Sequence, residues 1–302
     1  MRIVVTGKEG QLARSLVQRA ESAGASVLCI GRPELDLEKP ETIALALDTL
    51  APDVVVNAAA YTAVDQAERE ADRAMAINAT GAGVVADAAA KLSAPVIQIS
   101  TDYVFDGKLP RPYLESEPTT PLGVYGTSKL KGEELALQAN RQCVVLRTAW
   151  VYSPFGKNFV RTMLRLAQTQ DEIAVVSDQI GSPTSGLSLA DTILAVARNL
   201  ATRPGEAELF GVFHAVDGGE ATWAQFATAI FARSAAIGGP AAKVKEIATS
   251  QFPTLAPRPA NSRLATERLK AVHGIDSRHW RDELIPCVDL LVARDFANGK
   301  RP

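Results

Sequence analysis

Short apolar segments alternate with longer amphipathic segments through the first half of the chain, and this alternation restricts the fold more than any other feature. The apolar segments are predicted to be strands at 2–5, 26–30, 53–56, 95–99 and 143–147, with helices at 11–23, 40–50, 69–91 and around 125–129. Strands without a polar face are typical of a parallel sheet that helices cover on both sides. The sequence therefore predicts an α/β fold with a doubly wound parallel sheet, the Rossmann arrangement.

The regular alternation weakens after Trp150, where glycine and proline breaks recur. A chain of 302 residues, 47% of them hydrophobic, is long enough for one large domain and a smaller one. We therefore expect a Rossmann domain over 1–150 and a smaller α+β lobe mainly within 151–302. Segments of this lobe are expected to return to the sheet.

The charge balance does not favour nucleic acid or an anionic membrane as a partner, because the net charge is −2 and the pI is about 6.0. No uninterrupted apolar stretch in the sequence reaches the length of a membrane span. The first apolar run is too short for the core of a signal peptide. We therefore expect a cytoplasmic protein that does not insert into a membrane.

The cysteines and histidines do not form a metal-binding pattern. The cysteines are odd in number, far apart and set in apolar runs, which predicts buried thiols in a reducing compartment; they are Cys29, Cys143 and Cys287. The histidines show no metal-ligand spacing with them; they are His214, His273 and His279. No metal site is expected.

A glycine turn follows the first predicted strand. Gly7 and Gly10, in TGKEGQ, lie between this strand and the first helix, where backbone amides can face a diphosphate at the positive end of the helix. The alternative is a simple tight turn, and the first glycine of the usual three-glycine pattern is missing. The position directly after an N-terminal strand favours dinucleotide binding.

The second predicted strand ends without the acid that would bind the ribose hydroxyls of NADH. Arg32 lies near that place in IGRPELDL. A guanidinium suits a 2′-phosphate, so NADPH is favoured, with NADH as the alternative cofactor and an exposed surface arginine as the alternative interpretation. Asp36 and Leu37 are candidates to flank the adenine.

Small residues follow the third predicted strand at 58–60, where they allow a flat ligand to approach the carboxyl edge of the sheet; close packing between elements is the alternative. Asn78, in the following helix, is a candidate polar support for this segment or a buried asparagine with a structural role.

Three residues in this order suit the reduction of a carbonyl. Thr101 ends the fourth strand, and Tyr125 and Lys129 are one helical turn apart, although such pairs are common on helices. A hydride that arrives at a ketone carbon leaves negative charge on the oxygen, which needs a hydrogen-bond donor and then a proton. Tyr125 is the candidate proton donor, Lys129 is expected to lower the pKa of its phenol, and Thr101 is expected to hold the ketone.

Several longer stretches resemble the extended short-chain dehydrogenase/reductase superfamily and, within it, the family of dTDP-4-dehydrorhamnose reductases. The resemblance covers almost the whole chain and is carried by TGKEGQL, PDVVVNAAAYTAVDQAE, STDYVFDG, PLGVYGTSKLKGE, RTAWVY, NFVRTMLRLA, DQIGSPT and RPANSRL. It implies NADPH-dependent reduction of the 4-keto group of a dTDP-sugar, in the synthesis of cell-envelope polysaccharide precursors.

The resemblance also implies roles for individual residues. It makes Thr101, Tyr125 and Lys129 the catalytic residues. It places Gly10, Gln11, Leu12, Ala60, Tyr61 and Thr62 on the cofactor. It places Thr101, Asp102, Trp150, Asn158, Phe159, Arg258 and Ser262 on the substrate. For Trp150 the alternative is a core aromatic, and for the residues after it the alternative is surface or capping groups.

Two local differences separate this chain from similar proteins. The 4,6-dehydratases of the superfamily carry a second acid after their Thr-Asp pair, whereas here Tyr103 follows Asp102, which disfavours dehydration. Some reductases of the family dimerise through magnesium held by glutamates, whereas this chain has Leu187 where such an acid is expected. We therefore expect a monomer or a metal-independent homodimer.

Two alternative functions remain at this stage. One is a related nucleotide-sugar reductase or epimerase. The other is a non-catalytic, NADP-binding regulatory subunit, because the regulatory subunit of methionine adenosyltransferase is similar to these reductases. The presence of Thr101, Tyr125 and Lys129 together argues against the second alternative.

Overall fold

The computed structural model describes residues 1–296. Its strands are β1 (Arg2–Thr6), β2 (Ser26–Ile30), β3 (Val54–Asn57), β4 (Val96–Thr101), β5 (Cys143–Thr148), β6 (Val151–Tyr152), β7 (Glu172–Val176), β8 (Ile180–Gly181), β9 (Thr184–Ser185), β10 (Gly211–His214), β11 (Ala221–Thr222), β12 (Lys243–Ile247) and β13 (Asn261–Ser262). Its helices are α1 (Gln11–Ala20), α2 (Pro40–Leu50), α3 (Val64–Ala67), α4 (Ala71–Met75), α5 (Gly81–Lys91), α6 (Val124–Ala139), α7 (Phe159–Leu166), α8 (Gly186–Thr202), α9 (Trp223–Ala236), α10 (Glu267–His273) and α11 (Trp280–Asp295).

Within residues 1–296 the central sheet has six strands in the order β10-β5-β4-β3-β1-β2, and all of its pairs are parallel. Alternate residues of its strands face two separate cores. Ile3 and Val5 pack with α1 and α8 on one face, whereas Val4 packs with α2 and α5 on the other. The predicted doubly wound parallel sheet is therefore confirmed.

The strand order reverses between β1 and β3, because β2 lies outside β1 while β3, β4 and β5 extend in the other direction. Ligands of open α/β sheets bind at such a reversal, beyond the carboxyl ends of the strands. The glycine turn after β1 and the small residues after β3 meet at this point. The fold thus brings the predicted cofactor segments together.

The predicted bounds of β2 and α2 agree with the structure, but two long helices differ from expectation. The helix predicted at 11–23 ends at Ala20, and a turn follows. The helix predicted at 69–91 contains α4, one π-helical turn at Ala76–Thr80, and α5. The π turn adds a residue to the helical repeat and changes which side chains face the sheet beyond it.

The second half of the chain has two parts. Helix α8 packs on α1, and β10 joins the central sheet beside β5. Helix α10 packs in the same core as α8 through Leu269, whereas α7, α9 and α11 share a separate core around Tyr152, Phe226 and Trp280. Residues 297–302 of the predicted second lobe lie outside the described residues. Among residues 1–296, no helix combines the length and the apolar character needed to cross a membrane.

Candidate active site

The glycine turn after β1 has the geometry of a phosphate-binding turn. Gly7 has φ +95°, a conformation that favours glycine, and its N–H donates to the Ile30 carbonyl at 2.6 Å. Gly10 is the N-cap of α1 and provides no side-chain cap. The first amides of this ten-residue helix are therefore available to an anion.

The segment after β3 lies directly beside this turn. A Cβ placed on Gly7 would come 3.5 Å from Cβ of Ala59, so the two loops approach closely. Ala60 and Tyr61 are half-buried and Thr62 is exposed. A flat ligand between the two loops would therefore contact both predicted cofactor segments.

A chain of buried side chains fixes the ends of β1, β3 and β4 below this cleft. The Thr6 hydroxyl donates to Oδ1 of Asn57 at 2.6 Å, and the Asn57 amide donates to Oε1 of Gln98 at 2.7 Å. Thr6 also accepts the N–H of Ala59 at 3.0 Å. The sequence analysis missed these residues, although polar residues at the ends of apolar strands were a signal for them.

Two cations lie beyond the end of β2, the place where Arg32 is predicted to meet a 2′-phosphate. Arg32 is exposed and forms no ion pair with any residue of the described chain. Lys8 lies in the same region, where its Nζ contacts Glu34 at 2.5 Å. Asp36 accepts the Glu38 N–H at 3.1 Å. The region thus holds two cations near one glutamate.

Two other predicted cofactor residues have structural contacts of their own. Leu37 is 7% exposed and packs closely against Gly81. A Cβ added to Gly81 would lie 2.9 Å from Cβ of Leu37. The side chain of Leu12 is 9% exposed and belongs to the core shared with α8. A contact between Leu12 and the cofactor would therefore involve its backbone.

The three predicted catalytic residues meet at the carboxyl edge of β4. Thr101 is the last residue of β4, and Tyr125 and Lys129 lie in the first two turns of α6. Thr101 hydrogen-bonds to the Tyr125 phenol and donates to Oδ1 of Asp102 at 3.0 Å. Nζ of Lys129 is buried and donates to the Ile99 carbonyl at 2.6 Å. One cleft therefore contains a hydroxyl, a phenol, a carboxyl and an ammonium group.

The expectation that Lys129 lowers the pKa of Tyr125 is wrong for this arrangement. Burial and the nearby Asp102 carboxylate raise the pKa of Tyr125 to about 12, although the hydrogen bond with Thr101 opposes this. Lys129 points its ammonium group at Ile99, and burial lowers its own pKa to about 8. Tyr125 is therefore a phenol with a firmly held proton.

Asp102 is a buried carboxyl with spare bonding capacity. It is 3% exposed, and burial raises its pKa to about 6, against the effects of Ser262 and Thr101. Ser262 approaches the carboxyl, but Oδ2 has no hydrogen bond of normal geometry to any described residue. A buried acceptor without a hydrogen bond is unfavourable, so a hydrogen bond from a ligand hydroxyl to this oxygen would be stabilising.

Asn78, in the π-helical turn, connects the cofactor segment to helix α6. Its amide donates to the Tyr61 carbonyl and to the Ser128 hydroxyl, each at 3.0 Å, and its Oδ1 accepts the Tyr61 N–H at 2.8 Å. Such π turns occur often at functional sites. Asn78 thus has the supporting position that was one of its two interpretations.

Behind the site, Glu133 of α6 and Arg147 of β5 form a buried ion pair at 2.7 Å. Ser100 of β4 also hydrogen-bonds to Glu133. These contacts hold α6 against the sheet, and their breakage would leave a buried charge. The sequence analysis missed this pair, because its partners are not neighbours in the chain.

An aromatic cluster joins the end of the first half of the chain to the second half. Trp150 has φ +47°, which is unusual for a residue with a side chain and marks local backbone strain. Its ring stacks on Trp223 with centroids 3.5 Å apart, and Phe159 lies 4.6 Å from Trp223. Trp150 remains partly exposed rather than fully buried. Trp223 was missed by the sequence analysis.

Asn158 has the capping position that was its alternative interpretation. Its Oδ1 accepts the Arg161 N–H at 3.1 Å at the start of α7. Its amide donates to Oε1 of Gln11 at 2.9 Å and to the Ser153 carbonyl at 2.8 Å. Asn158 therefore connects the glycine turn of the first half to α7 of the second.

Arg258 is close to the catalytic edge and keeps one unused donor. Its Nη2 donates to Oδ2 of Asp65 at 2.7 Å, and its guanidinium lies 5.9 Å from the ring centre of Tyr103. Tyr103 in turn packs edge to face on Tyr125 at 5.5 Å. Nη1 of Arg258 is buried without a partner among the described residues.

Metal ligands and reactive thiols are not evident in the described structure. No group of three or more metal-ligating side chains occurs within residues 1–296, and Leu187 is buried in α8. Burial raises the pKa of the Cys143 and Cys287 thiols to about 12. Cys29 is only partly buried, which differs from the expectation of three buried thiols.

Comparisons with known proteins agree on one family. The family model described as RmlD substrate binding domain matches residues 1–292. A dTDP-4-dehydrorhamnose reductase from Sinorhizobium fredii is 46% identical over 282 residues, which are 93% of this chain and 95% of that protein.

Solved structures are similar over nearly their whole length. The crystal structure of a dTDP-4-dehydrorhamnose reductase from Clostridium acetobutylicum has a TM-score of 0.88 and 36% identity, over 96% of this chain and 99% of that one. That of a dTDP-4-dehydrorhamnose reductase from Bacillus anthracis, in complex with NADP, has a TM-score of 0.86 and 32% identity, over 95% and 98%. The chain therefore belongs to the RmlD substrate binding domain family, the family of the dTDP-4-dehydrorhamnose reductases.

Proposed function

We propose that this protein is an oxidoreductase that reduces the 4-keto group of dTDP-4-dehydro-β-L-rhamnose to dTDP-β-L-rhamnose with NADPH. The product is a precursor of cell-envelope polysaccharides. The observation that carries the proposal is the meeting of Thr101, Tyr125 and Lys129 at the edge of the sheet, beside the glycine turn. Membership of a family whose relatives bear this activity in their names supports the same reaction.

The residues of the first cleft suit a dinucleotide cofactor. The amide groups at the start of α1 would hold the diphosphate, and the small residues at 58–60 would face the flat rings. Arg32 and Lys8 would meet the 2′-phosphate of NADPH. When bound, NADPH supplies the hydride. NADH is the alternative cofactor.

Side chains of the protein stabilise the negative charge on the ketone oxygen and donate the proton to it. With substrate bound, the Thr101 hydroxyl would turn its single hydrogen from Oδ1 of Asp102 to the ketone oxygen, and this bond would strengthen as negative charge develops there. Tyr125 transfers its phenolic proton to the same oxygen, so the ketone becomes an alcohol and the tyrosine becomes a phenolate that regains a proton from solvent. Because the pKa of Tyr125 is raised to about 12, the phenol carries this proton throughout the neutral range.

Lys129 provides positive charge beneath the reacting groups. Its ammonium group is one helical turn from Tyr125, and its pKa of about 8 keeps it charged near neutrality. Its charge would act on the cofactor and on the ketone oxygen, because Lys129 is not among the groups that set the pKa of Tyr125 in the structure. Lys129 is also placed to donate to the ribose of the nicotinamide cofactor.

The sugar nucleotide would lie between the sheet edge and the second lobe. Asp102 has a free acceptor oxygen for a sugar hydroxyl, and Arg258 has a free donor for the diphosphate. Trp150 offers a partly exposed ring on the same side. Asn158 acts through its cap on α7, with Phe159 and Ser262 as further candidate contacts.

We also propose that the protein works in the cytoplasm as a monomer or as a homodimer that needs no metal, with residues 1–150 and 151–302 as its two functional parts. The buried Leu187 supports independence from magnesium. Light scattering with and without a chelator tests this, because a magnesium-bridged dimer would dissociate when the metal is removed.

The experiment that tests the function is incubation with NADPH and a panel of nucleotide 4-keto sugars, followed by NMR of the products. We expect dTDP-L-rhamnose to form from dTDP-4-dehydro-β-L-rhamnose at the highest kcat/KM. Turnover of another sugar instead would assign a related reductase. Binding of NADPH without turnover of any sugar would favour a regulatory subunit.

A further inference from the structure

Two carboxylates of the α3 segment contact different parts of the candidate active site: Asp65 lies in α3 and Glu68 is its C-cap. The helix spans only Val64–Ala67 and begins a few residues after the small residues at 58–60. Glu68 reaches the start of α6, and Asp65 reaches the segment 256–258 of the second half. The α3 segment therefore contacts both α6, which carries Tyr125, and Arg258, a candidate contact of the substrate.

Glu68 replaces the missing cap of helix α6. The N-cap of this helix is Gly123, which has no side chain to accept a hydrogen bond from the first turn. Oε1 of Glu68 accepts the Val124 N–H at 2.8 Å. A carboxylate at the N-terminus of a helix satisfies a free amide and interacts favourably with the helix dipole. The catalytic candidate Tyr125 follows Val124 directly.

The glycine at position 123 leaves room for this carboxylate. A Cβ at Gly123 would come 2.5 Å from Oε1 of Glu68, which is closer than two such atoms can approach. The φ of Gly123 is −146°, so its conformation does not require glycine. The close approach of Glu68 is the reason for a small residue here.

Asp65 holds the candidate phosphate-binding residue in the same way. Its Oδ1 accepts the Ala256 N–H at 3.0 Å, and its Oδ2 accepts from Nη2 of Arg258 at 2.7 Å. The Arg258 side chain is 19% exposed, so the ion pair is partly protected from water. The pair aligns the guanidinium and leaves Nη1 free.

We propose that Glu68 and Asp65 are positioning residues of the reaction: Glu68 fixes the first turn of α6 and thereby Tyr125, and Asp65 fixes Arg258 for the sugar nucleotide. This inference rests on the proposed function and assigns each carboxylate a separate effect. Loss of Glu68 lowers kcat, because a misplaced proton donor slows the chemical step. Loss of Asp65 raises KM for the sugar nucleotide, because the binding group is no longer aligned.

The test compares Glu68→Ala, Gly123→Ala and the double variant with wild type. We expect each single variant to lose about tenfold in kcat with little change in the Kd for NADPH. Because the Cβ at position 123 displaces the same carboxylate that Glu68→Ala removes, the double variant loses no more than either single one. Glu68→Gln keeps an acceptor oxygen and recovers most of kcat. Asp72→Ala, at an exposed position of α4, is the matched control.

Asp65→Ala completes the comparison. We expect KM for the dTDP-sugar to rise about tenfold while kcat changes less than about twofold. Asp65→Asn, which keeps an acceptor for the Ala256 N–H, has a smaller effect on KM. A general loss of folding would instead lower kcat and the melting temperature together in both Glu68→Ala and Asp65→Ala.

Hydrogen exchange at the Val124 amide separates this inference from the proposed function, because it needs no substrate. We expect slow exchange in wild type and faster exchange in Glu68→Ala. If wild type is active and Glu68→Ala has the same kcat, the role of Glu68 is overturned. It is also overturned if the kcat losses of the two single variants multiply in the double variant. If wild type is inactive, the proposed function is refuted. Slow exchange of the Val124 amide in wild type and fast exchange in Glu68→Ala would still support the capping role of Glu68.

Discussion

The sheet edge and the second lobe position their candidate residues by different means. Thr101 ends a central strand, and Lys129 lies in a sixteen-residue helix that a buried ion pair holds to the sheet. Trp150, at the border of the second lobe, and Arg258, within it, lie outside the helices and strands; Trp150 stacks on Trp223, and Arg258 pairs with Asp65. The proposed catalytic residues thus lie on helices and strands, whereas these two proposed contacts with the sugar nucleotide lie on loops.

This difference predicts different kinetic effects for the two regions. Substitutions at the sheet edge should lower kcat, because they remove groups that act on the reacting atoms. Substitutions in the second lobe should mainly raise KM or lower stability.

Tyr125→Phe removes the proton donor without changing the shape of the ring. We expect kcat to fall by about 10² to 10⁴-fold, the usual contribution of a general acid, while NADPH still binds. Steady-state rates and cofactor fluorescence measure the two quantities. Tyr113→Phe, at a buried tyrosine that bonds Asp106, is the matched control and should stay within about threefold of wild type. Comparable losses of kcat in Tyr125→Phe and Tyr113→Phe would contradict the role of Tyr125 as proton donor.

Arg258→Ala removes a buried donor that has no partner among the described residues. We expect KM for the sugar nucleotide to rise about tenfold or more, with a smaller change in kcat, because the lost interaction is with the diphosphate and not with the reacting carbon. Arg165→Ala, at an exposed arginine of α7, is the control. If kcat falls while KM stays constant, recognition and chemistry are not separated between the two regions.

The pH dependence of the reaction reports on Lys129. Burial lowers its pKa to about 8, so the ammonium group is charged below that pH and loses its proton above it. We expect kcat/KM to be level near neutrality and to fall about tenfold per unit above roughly pH 8. Initial rates between pH 6 and 10 measure this profile. A rate that stays constant to pH 10 would contradict a need for charged Lys129.

Asn158→Ala should affect stability more than catalysis. It removes the cap of α7 and the bond to Gln11, so we expect the free energy of unfolding to fall by about 1–2 kcal/mol. Chemical denaturation measures this change, with Lys157→Ala as an exposed neighbouring control. A large increase in KM with unchanged stability would instead make Asn158 a direct substrate contact.

The same division explains how much of the molecule the sequence could predict. Strand β2 and helix α2 have the predicted bounds, because local turn residues mark their ends: Gly24 and Gly31 flank β2, and Pro40 begins α2. The π-helical turn at Ala76–Thr80 was not predicted, since it depends on contacts of Asn78 with Tyr61 and Ser128. Local patterns do not record such contacts.

Residue types and spacing singled out Thr101, Tyr125 and Lys129, which the structure brings together, but could not predict their electrostatics. The raised pKa of Tyr125 depends on burial and on Asp102, and neither effect can be read from a spacing of four residues. The stacking of Trp150 on Trp223 joins residues more than seventy positions apart in the sequence. Glu68 lies in a recognised motif, but its partner Val124 becomes visible only in the fold.

The most direct test of the central claim is the fate of the transferred hydrogen. NADPH carrying deuterium at the transferable position would be incubated with dTDP-4-dehydro-β-L-rhamnose and the protein, and the product would be analysed by NMR and mass spectrometry. The proposed reaction predicts dTDP-β-L-rhamnose with one deuterium at C4 of the sugar, and almost no product with Tyr125→Phe. Recovery of the unchanged ketone, or product without deuterium at C4, would contradict it.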